Sequence, residues 1–319
     1  MSGDRAGGDR MSGDRASGDR ASAAAADGVQ LTLGRSRTPA VLRRRPPTSS
    51  TVPVIMGVLN MTPDSFSDGG QYNRLDAAIA HAVELTEAGA RLIDVGGEST
   101  RPGATRIPAD EELRRVLPVI TELVQRDIVV SIDTMNASTA LAAAKAGVCL
   151  INDVSGGLAD PAMPRVAAET GLHFVAMHWR GQSATMSSNA VYGNVVRDVR
   201  SELKQRVAEL IVNGVDPNRI ILDPGIGFAK NSEQNWLLLG HLRELGILGY
   251  PLLLGVSRKR FLGELLPEVA TTHDRDPATA VISALAAEAG VWGVRVHDVA
   301  GTRAALDVWS AMHGIGASK

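Results

Sequence analysis

The chain has 319 residues, 44% of them hydrophobic, a single cysteine and a formal net charge of −2. One cysteine excludes an intrachain disulfide and a cysteine-based metal site, and the near-neutral charge argues against bulk affinity for nucleic acid. With no signal peptide and no apolar run of membrane-spanning length, a soluble cytoplasmic protein without a membrane partner is expected.

Residues 1–50 differ in composition from the remainder. MSGDRAGGDRMSGDRASGDRAS repeats a Gly-Asp-Arg unit with no apolar periodicity, and Leu42 to Pro47 reads LRRRPP. Such a stretch cannot offset the entropy of ordering, so it is expected to be a disordered extension, with one folded domain over 51–319. The repeat is too short for a solenoid, and its balanced charges disfavour a nucleic-acid arm.

From Val52 onward, eight short apolar runs each stop at a cluster of Gly, Asp, Asn, His, Ser, Lys or Arg, always at the same end. They are VPVIMGVLN (Val52 to Asn60), RLIDVGGE (Arg91 to Glu98), IVVSIDT (Ile128 to Thr134), CLINDVSGG (Cys149 to Gly157), HFVAMH (His173 to His178), RIILDPGIGF (Arg219 to Phe228), PLLLGVSRK (Pro251 to Lys259) and VWGVRVHDV (Val291 to Val299). Helix-forming stretches such as LDAAIAHAVELTEAG from Leu75 and DPATAVISALAAEAG from Asp276 separate most of them. Near-continuous apolar strands alternating with helices imply parallel strands buried on both faces. Eight such units in roughly 270 residues predict an α/β fold, a (β/α)8 TIM barrel, whose usual size is about 250 residues. Barrels of this kind gather reactive groups at the carboxyl ends of their strands, which places Asn60, Asp133, Asn152, His178, Asp223, Lys259, Arg295 and His297 at one mouth. Cys149, inside an apolar run, is expected to be a buried structural thiol.

The polar segments after the strands carry the chemistry. NMTPDSFSDGG (Asn60 to Gly70) has Gly hinges, Pro63, Phe66 and two acids, Asp64 and Asp68, the make-up of a loop that moves over a site. GGESTRPGATR (Gly96 to Arg106) repeats that design with Thr100, Arg101 and Pro102, and an Arg between Gly and Pro suits an anion clamp. Asp133, Asn152 and Asp223 follow apolar runs, where an unpaired polar group is unfavourable. Each alone fits a helix N-cap; three at one mouth favour a flat heterocycle with N–H donors beside a carbonyl.

The last two strand ends are basic. GVSRKRFLG puts Ser257, Arg258 and Lys259 where a helix should begin, and VRVHDV sets Arg295 and His297 on one strand face, with Asp298 on the other. Cationic strand ends beside a helix N-terminus suit phosphate or pyrophosphate. His178 fits a metal ligand, a base or a packed core histidine. HExxH, P-loop and GxGxxG patterns are missing, which disfavours zinc chemistry and dinucleotide reduction. Mg2+ needs only one or two protein oxygens besides pyrophosphate, with Asn60 and Asp68 the nearest candidates.

These motifs resemble, in order, those of the dihydropteroate synthase family of folate biosynthesis, the target of sulfonamides. NMTPDSFSDGG, DVGGESTRPGA, SIDT, INDVSGG, Met177–His178, LDPGIGFAK, GVSRKRFLG and VRVHDV carry the resemblance from Val54 to about Val308. It implies a pterin-binding catalytic domain that joins 6-hydroxymethyl-7,8-dihydropterin pyrophosphate to p-aminobenzoate with Mg2+. It implies that Asp133, Asn152, Asp223 and Lys259 contact the pterin ring, with Met177 and Arg295 lining its faces. Asn60, Arg295 and His297 would hold the pyrophosphate, and Asn60 also the metal. Phe66, Thr100, Arg101, Pro102 and Phe228 would shape the aminobenzoate pocket, and Asp68 would face a developing cation. Many members have a small hydroxyl residue directly after the SRK lysine, where this chain has Arg260. A homodimer through outer helices is also implied. The alternatives are a methyltetrahydrofolate methyltransferase-type barrel, which would not need GGESTRPGA or SRK, and a non-catalytic pterin-binding paralogue, which would lack some of Arg101, Lys259, Arg295 and His297.

Overall fold

The computed structural model describes residues 39–42, 51–62, 71–99, 106–181 and 189–315. Eight strands are present: β1 (Val54–Asn60), β2 (Leu92–Gly96), β3 (Val130–Asp133), β4 (Leu150–Asp153), β5 (His173–Met177), β6 (Ile220–Asp223), β7 (Leu253–Leu254) and β8 (Gly293–Val296). All pair in parallel, in the order β6-β5-β4-β3-β2-β1-β8-β7. A parallel bridge between Leu222 and Leu252 joins the two ends, and Leu222 N–H donates to Pro251 O at 2.9 Å. This is the (β/α)8 barrel that the alternating runs predict.

The helices are α1 (Gln71–Glu87), α2 (Ala109–Gln125), α3 (Ala137–Ala146), α4 (Met163–Thr170), α5 (Val195–Val212), α6 (Ser232–Gly240), α7 (Leu242–Gly246), α8 (Asp276–Glu288) and α9 (Val299–Met312). Local sequence sets several starts. Asn231 and Gln234 form a reciprocal capping box at α6, and Asp298 caps α9 by accepting Gly301 N–H at 3.0 Å. Asp298 is therefore a helix cap and not a partner of Arg295.

Strand alternation, in which consecutive residues face opposite ways, sorts the core into two layers. Ile55, Ile93, Ile132, Ile151, Phe174, Leu222 and Val294 face the helices, while Met56, Leu92, Leu150, Val175, Ile221 and Leu253 fill the barrel's interior. Further along the same inward positions, towards the carboxyl ends, stand Asp94, Ser131, Asp133, Asn152, Asp223 and Arg295. The interior is thus apolar at one end and polar at the other.

One expectation needs correcting. Within the span 1–50, Pro39–Leu42 are ordered: Leu42 N–H donates to Pro39 O at 2.9 Å in a 3₁₀ turn. Val41 and Leu42 are buried in the interior cluster with Val54, Met56 and Leu253. Two aliphatic side chains beside an Arg/Pro-rich segment have no periodicity to announce them, yet burying each is worth about 1.5–3 kcal/mol before the entropy of ordering is subtracted.

Candidate active site

The polar end of the barrel is organised around buried carboxylates. Asp94, fully buried on β2, accepts from Ser131 Oγ at 2.6 Å, Asn152 Nδ2 at 2.8 Å and Arg295 Nε at 2.6 Å. Arg295 Nη2 donates to Asp133 Oδ2 at 2.7 Å. Four strands, β2, β3, β4 and β8, are thereby tied together by side chains on their inward face. Burial raises Asp133 to about 7; the Arg295 charge opposes it, and Asp94 and Glu112 add to it. For Arg295 burial acts downward, but Asp94 and Asp133 outweigh it and the guanidinium is held above its ordinary value.

Asp223 stands at the end of β6 and accepts Gly225 N–H at 2.7 Å. It closes its own turn rather than capping a helix, and Asp153, at the end of β4, similarly accepts from Ser155 N–H and Gly157 N–H at 2.7 and 3.0 Å. Burial raises Asp223, opposed by the Lys259 ammonium. Lys259 is pushed down to about 8, first by burial and against the pull of Asp223. Its ammonium donates to Ile226 O and lies 4.5 Å from the Phe228 ring centroid.

Glycines keep the space between these groups open. A Cβ at Gly255 would stand 3.8 Å from Asp223 Oδ2 and 3.9 Å from Arg295 Cβ, and one at Gly96 would stand 3.4 Å from the Asp133 carboxylate. Gly227, at φ +78°, lets the Lys259 stem pass where a Cβ would come within 2.7 Å of Lys259 Cδ.

The basic strand ends differ from expectation in two respects. Arg258, at φ +59°, turns away to a bidentate pair with Asp276 at the start of α8, with Nε–Oδ1 2.9 Å and Nη2–Oδ2 2.8 Å. The helix expected at Ser257–Lys259 is a six-residue 3₁₀ segment, Arg260–Leu265, with Arg260 exposed. Ser257 Oγ and His297 Nδ1 are 2.9 Å apart, and His297 N–H donates to Ser257 Oγ at 3.1 Å. Asn60 ends β1 in register with Gly96, half-buried.

The matching family model, described as pterin binding enzyme, covers residues 56–297. The dihydropteroate synthase of Mycobacterium leprae is 51% identical over 268 residues, 82% of this chain and 94% of that protein. The chain belongs to the dihydropteroate synthase family. A solved Xanthomonas albilineans dihydropteroate synthase with 4-aminobenzoic acid matches with 42% identity and a TM-score of 0.78, covering 84% of this chain and 95% of that one. A second structure of that enzyme, with 7,8-dihydropteroate, matches with 39% identity and a TM-score of 0.75 over 84% of this chain and 96% of that one. The reaction of this transferase family condenses 6-hydroxymethyl-7,8-dihydropterin pyrophosphate with p-aminobenzoate to give 7,8-dihydropteroate and pyrophosphate.

Of the residues that the family resemblance implicates, Asp133, Asn152, Asp223, Lys259 and Arg295 form the polar ring just described. Met177 lies beside Asp223 in the β5–β6 register, and His297 follows β8. Phe66, Asp68, Thr100, Arg101 and Pro102 lie outside the described residues. His178 is buried between Glu202 Oε2, 2.9 Å from Nε2, and Lys230 Nζ, 3.0 Å from Nδ1. Among the described residues no three His, Cys, Asp or Glu side chains converge as a metal cage. Sequence reasoning missed Asp94 and Lys230. Asp94 had a usable signal: an acid inside an apolar run, two residues before Gly96 and therefore on the inward face.

Proposed function

We propose that this mouth carries out the condensation in two stages, pyrophosphate leaving first to give a delocalised pterin cation that the aryl amine then attacks. The observation that carries this reading is the ring of buried Asp133, Asn152 and Asp223 with half-buried Lys259. It offers carboxylate and amide acceptors beside amide and ammonium donors, the complement of a pterin's amino, ring N–H and carbonyl edge. The Xanthomonas albilineans structures with 4-aminobenzoic acid and with 7,8-dihydropteroate support the same substrates here.

In this reading Asp133, Asn152, Asp223 and Lys259 bind the pterin edge, while Met177 and Arg295 line its faces. Asn60, Arg295 and His297 hold the pyrophosphate, and Ser257 orients the His297 ring through the 2.9 Å contact. As the C–O bond breaks, its electron pair leaves on pyrophosphate, where the Arg295 and His297 donors receive the charge. The amine nitrogen then forms the C–N bond with its lone pair, and the proton it sheds passes to solvent water. Phe228 shapes the aminobenzoate pocket with Phe66, Thr100, Arg101 and Pro102, and Asp68 faces the cation.

Among the described residues, Mg2+ fits this donor set through Asn60; the other candidate, Asp68, lies outside them. One amide oxygen at a half-buried strand end is insufficient as a cage but sufficient beside pyrophosphate oxygens and water, the way this cation is usually held. When bound, Mg2+ would supply charge neutralisation of the leaving group.

Exposed apolar pairs at helical i, i+4 spacing, Val281 and Leu285 on α8 and Val308 and Met312 on α9, support a homodimer through these adjacent helices. No helix among the described residues is long and apolar enough to cross a membrane, and a cytoplasmic location accords with that. An assay with pterin pyrophosphate, Mg2+ and p-aminobenzoate tests the activity: 7,8-dihydropteroate should form, and a protein that binds pterin without forming it would be a non-catalytic relative.

A further inference from the structure

The segment from Asp223 to Lys230 is held through four carbonyl oxygens and through Gly227 N–H, which donates to buried Asn235 Oδ1 at 2.7 Å. Lys259 donates to Ile226 O, Tyr192 Oη to Ala229 O at 3.0 Å, and Lys230 Nζ to both Gly225 O at 2.9 Å and Phe228 O at 3.0 Å. Lys230 completes its set on His178 Nδ1 at 3.0 Å, so all three ammonium protons have acceptors. That contact sets the imidazole tautomer: Nδ1 accepts, and Nε2–H donates to Glu202 Oε2 at 2.9 Å. Arg180 Nε donates to the same carboxylate oxygen at 3.0 Å, and its guanidinium stacks 3.8 Å from the Tyr192 centroid.

The backbone here is strained. Gly225 and Gly227 lie at φ +67° and +78°, and Ala229, with a Cβ, at φ +45°. A Cβ at Gly225 would stand 2.3 Å from His178 O. Conformations of this kind persist only where surrounding contacts over-determine them, and Lys230 supplies two of those contacts.

We propose that Lys230 is a positioning residue for the aryl-amine substrate, acting through the Phe228 carbonyl to hold the Phe228 ring beside Lys259. The two ends of the segment are not equally dependent on it. Asp223 is fixed in the sheet by its register with Met177 and by His178 N–H donating to Asp223 O at 2.8 Å. Phe228 is beyond the last sheet contact; its N–H donates to Gly225 O at 3.1 Å, and its carbonyl is held by Lys230. Gly227 N–H stays on Asn235 Oδ1 and Ala229 O on Tyr192 Oη, so losing the ammonium frees the Phe228 carbonyl between them while leaving the pterin-facing carboxylate in place.

This rests on the reading of Phe228 as part of the aminobenzoate pocket, and the test separates the two. Steady-state constants for both substrates are measured on full-length Lys230→Met, Phe228→Ala and the double variant, each shown by circular dichroism to be folded. Lys230→Met should raise KM for p-aminobenzoate about ten-fold, the scale of one lost charge-assisted hydrogen bond, with KM for the pterin pyrophosphate within about threefold. The double variant should match Phe228→Ala alone, because both changes act on one contact. Lys230→Gln, which keeps two donors, serves where Lys230→Met does not fold and should fall between. If Phe228→Ala raises KM for p-aminobenzoate and folded Lys230 variants do not, the positioning role is wrong. Equal rises for both substrates, or additive effects in the double variant, also overturn it. If Phe228→Ala itself leaves that KM unchanged, the pocket assignment fails instead.

Discussion

Asp94 Oδ2 receives both Arg295 Nε at 2.6 Å and Asn152 Nδ2 at 2.8 Å, so a single oxygen on the second strand aims groups from the fourth and the eighth. It fixes which face of the Asn152 amide meets a ligand, and it neutralises part of a guanidinium that the barrel interior would otherwise disfavour. Asp94→Ala should cost about 3–5 kcal/mol of stability, the usual penalty for leaving a buried charge without its partner. Urea denaturation measures it, and a loss below about 1 kcal/mol would show that Arg295 relaxes into other contacts.

Asp223→Ala and Lys259→Ala should each weaken pterin binding by about 1–3 kcal/mol, since each leaves a polar ligand edge unpaired in a buried site. Calorimetry with a non-hydrolysable pterin pyrophosphate analogue reads this directly. Unchanged affinity in folded Asp223→Ala would confine that carboxylate to closing its turn with Gly225.

Removing residues 1–38 should leave stability unchanged, whereas removing 1–49 should lower it by about 1–3 kcal/mol, because the longer deletion takes Val41 and Leu42 out of the interior cluster. Equal denaturation midpoints for the two truncations would mean that this turn contributes nothing net.

The His178–Glu202 pair makes acid stability predictable in sign. Burial first, and the Lys230 charge second, lower His178 from 6.5 to about 4, so it stays neutral in the fold. The unfolded chain takes up that proton below about 6.5; stability is therefore complete above 6.5 and falls as the pH drops towards 4. Glu202 adds to the loss at lower pH. Burial pulls it up, but hydrogen bonds from His178 and Arg180 outweigh this and hold it at about 2, so its contribution fades from 4.5 downward. His178→Gln should flatten the decline between pH 6.5 and 4 by on the order of 1–3 kcal/mol. Urea midpoints across that range check it, and an undiminished slope would assign the acid sensitivity to other groups, such as His173, also lowered to about 4.

The barrel was readable because its strands are buried on both faces and their runs end alike; even β7, only two residues long, lies inside a longer apolar run. Polar residues at strand ends were readable for the same reason. What stayed hidden depends on contacts distant in sequence. Asp94 shows in the sequence as an acid inside an apolar run, but its partners Asn152 and Arg295 lie far along the chain, Arg295 some two hundred residues later. Lys230 looks like an ordinary exposed lysine until His178 and two carbonyls surround it. The turn at Val41 and Leu42 has too few apolar residues to show a period. Arg258 stood in an apparently functional SRK run, but its partner is Asp276 on the next helix.

The order of bond breaking is the central question for the chemistry. A single-turnover experiment with Mg2+ should follow pyrophosphate and 7,8-dihydropteroate separately, with p-aminobenzoate withheld and then added. Pyrophosphate should appear in its absence. Arg101→Ala should spare this release and impair condensation, whereas Asn60→Ala and His297→Ala should slow both, since they act on the leaving group. If pyrophosphate appears only with p-aminobenzoate and never ahead of product, the amine displaces it directly and no free pterin cation forms.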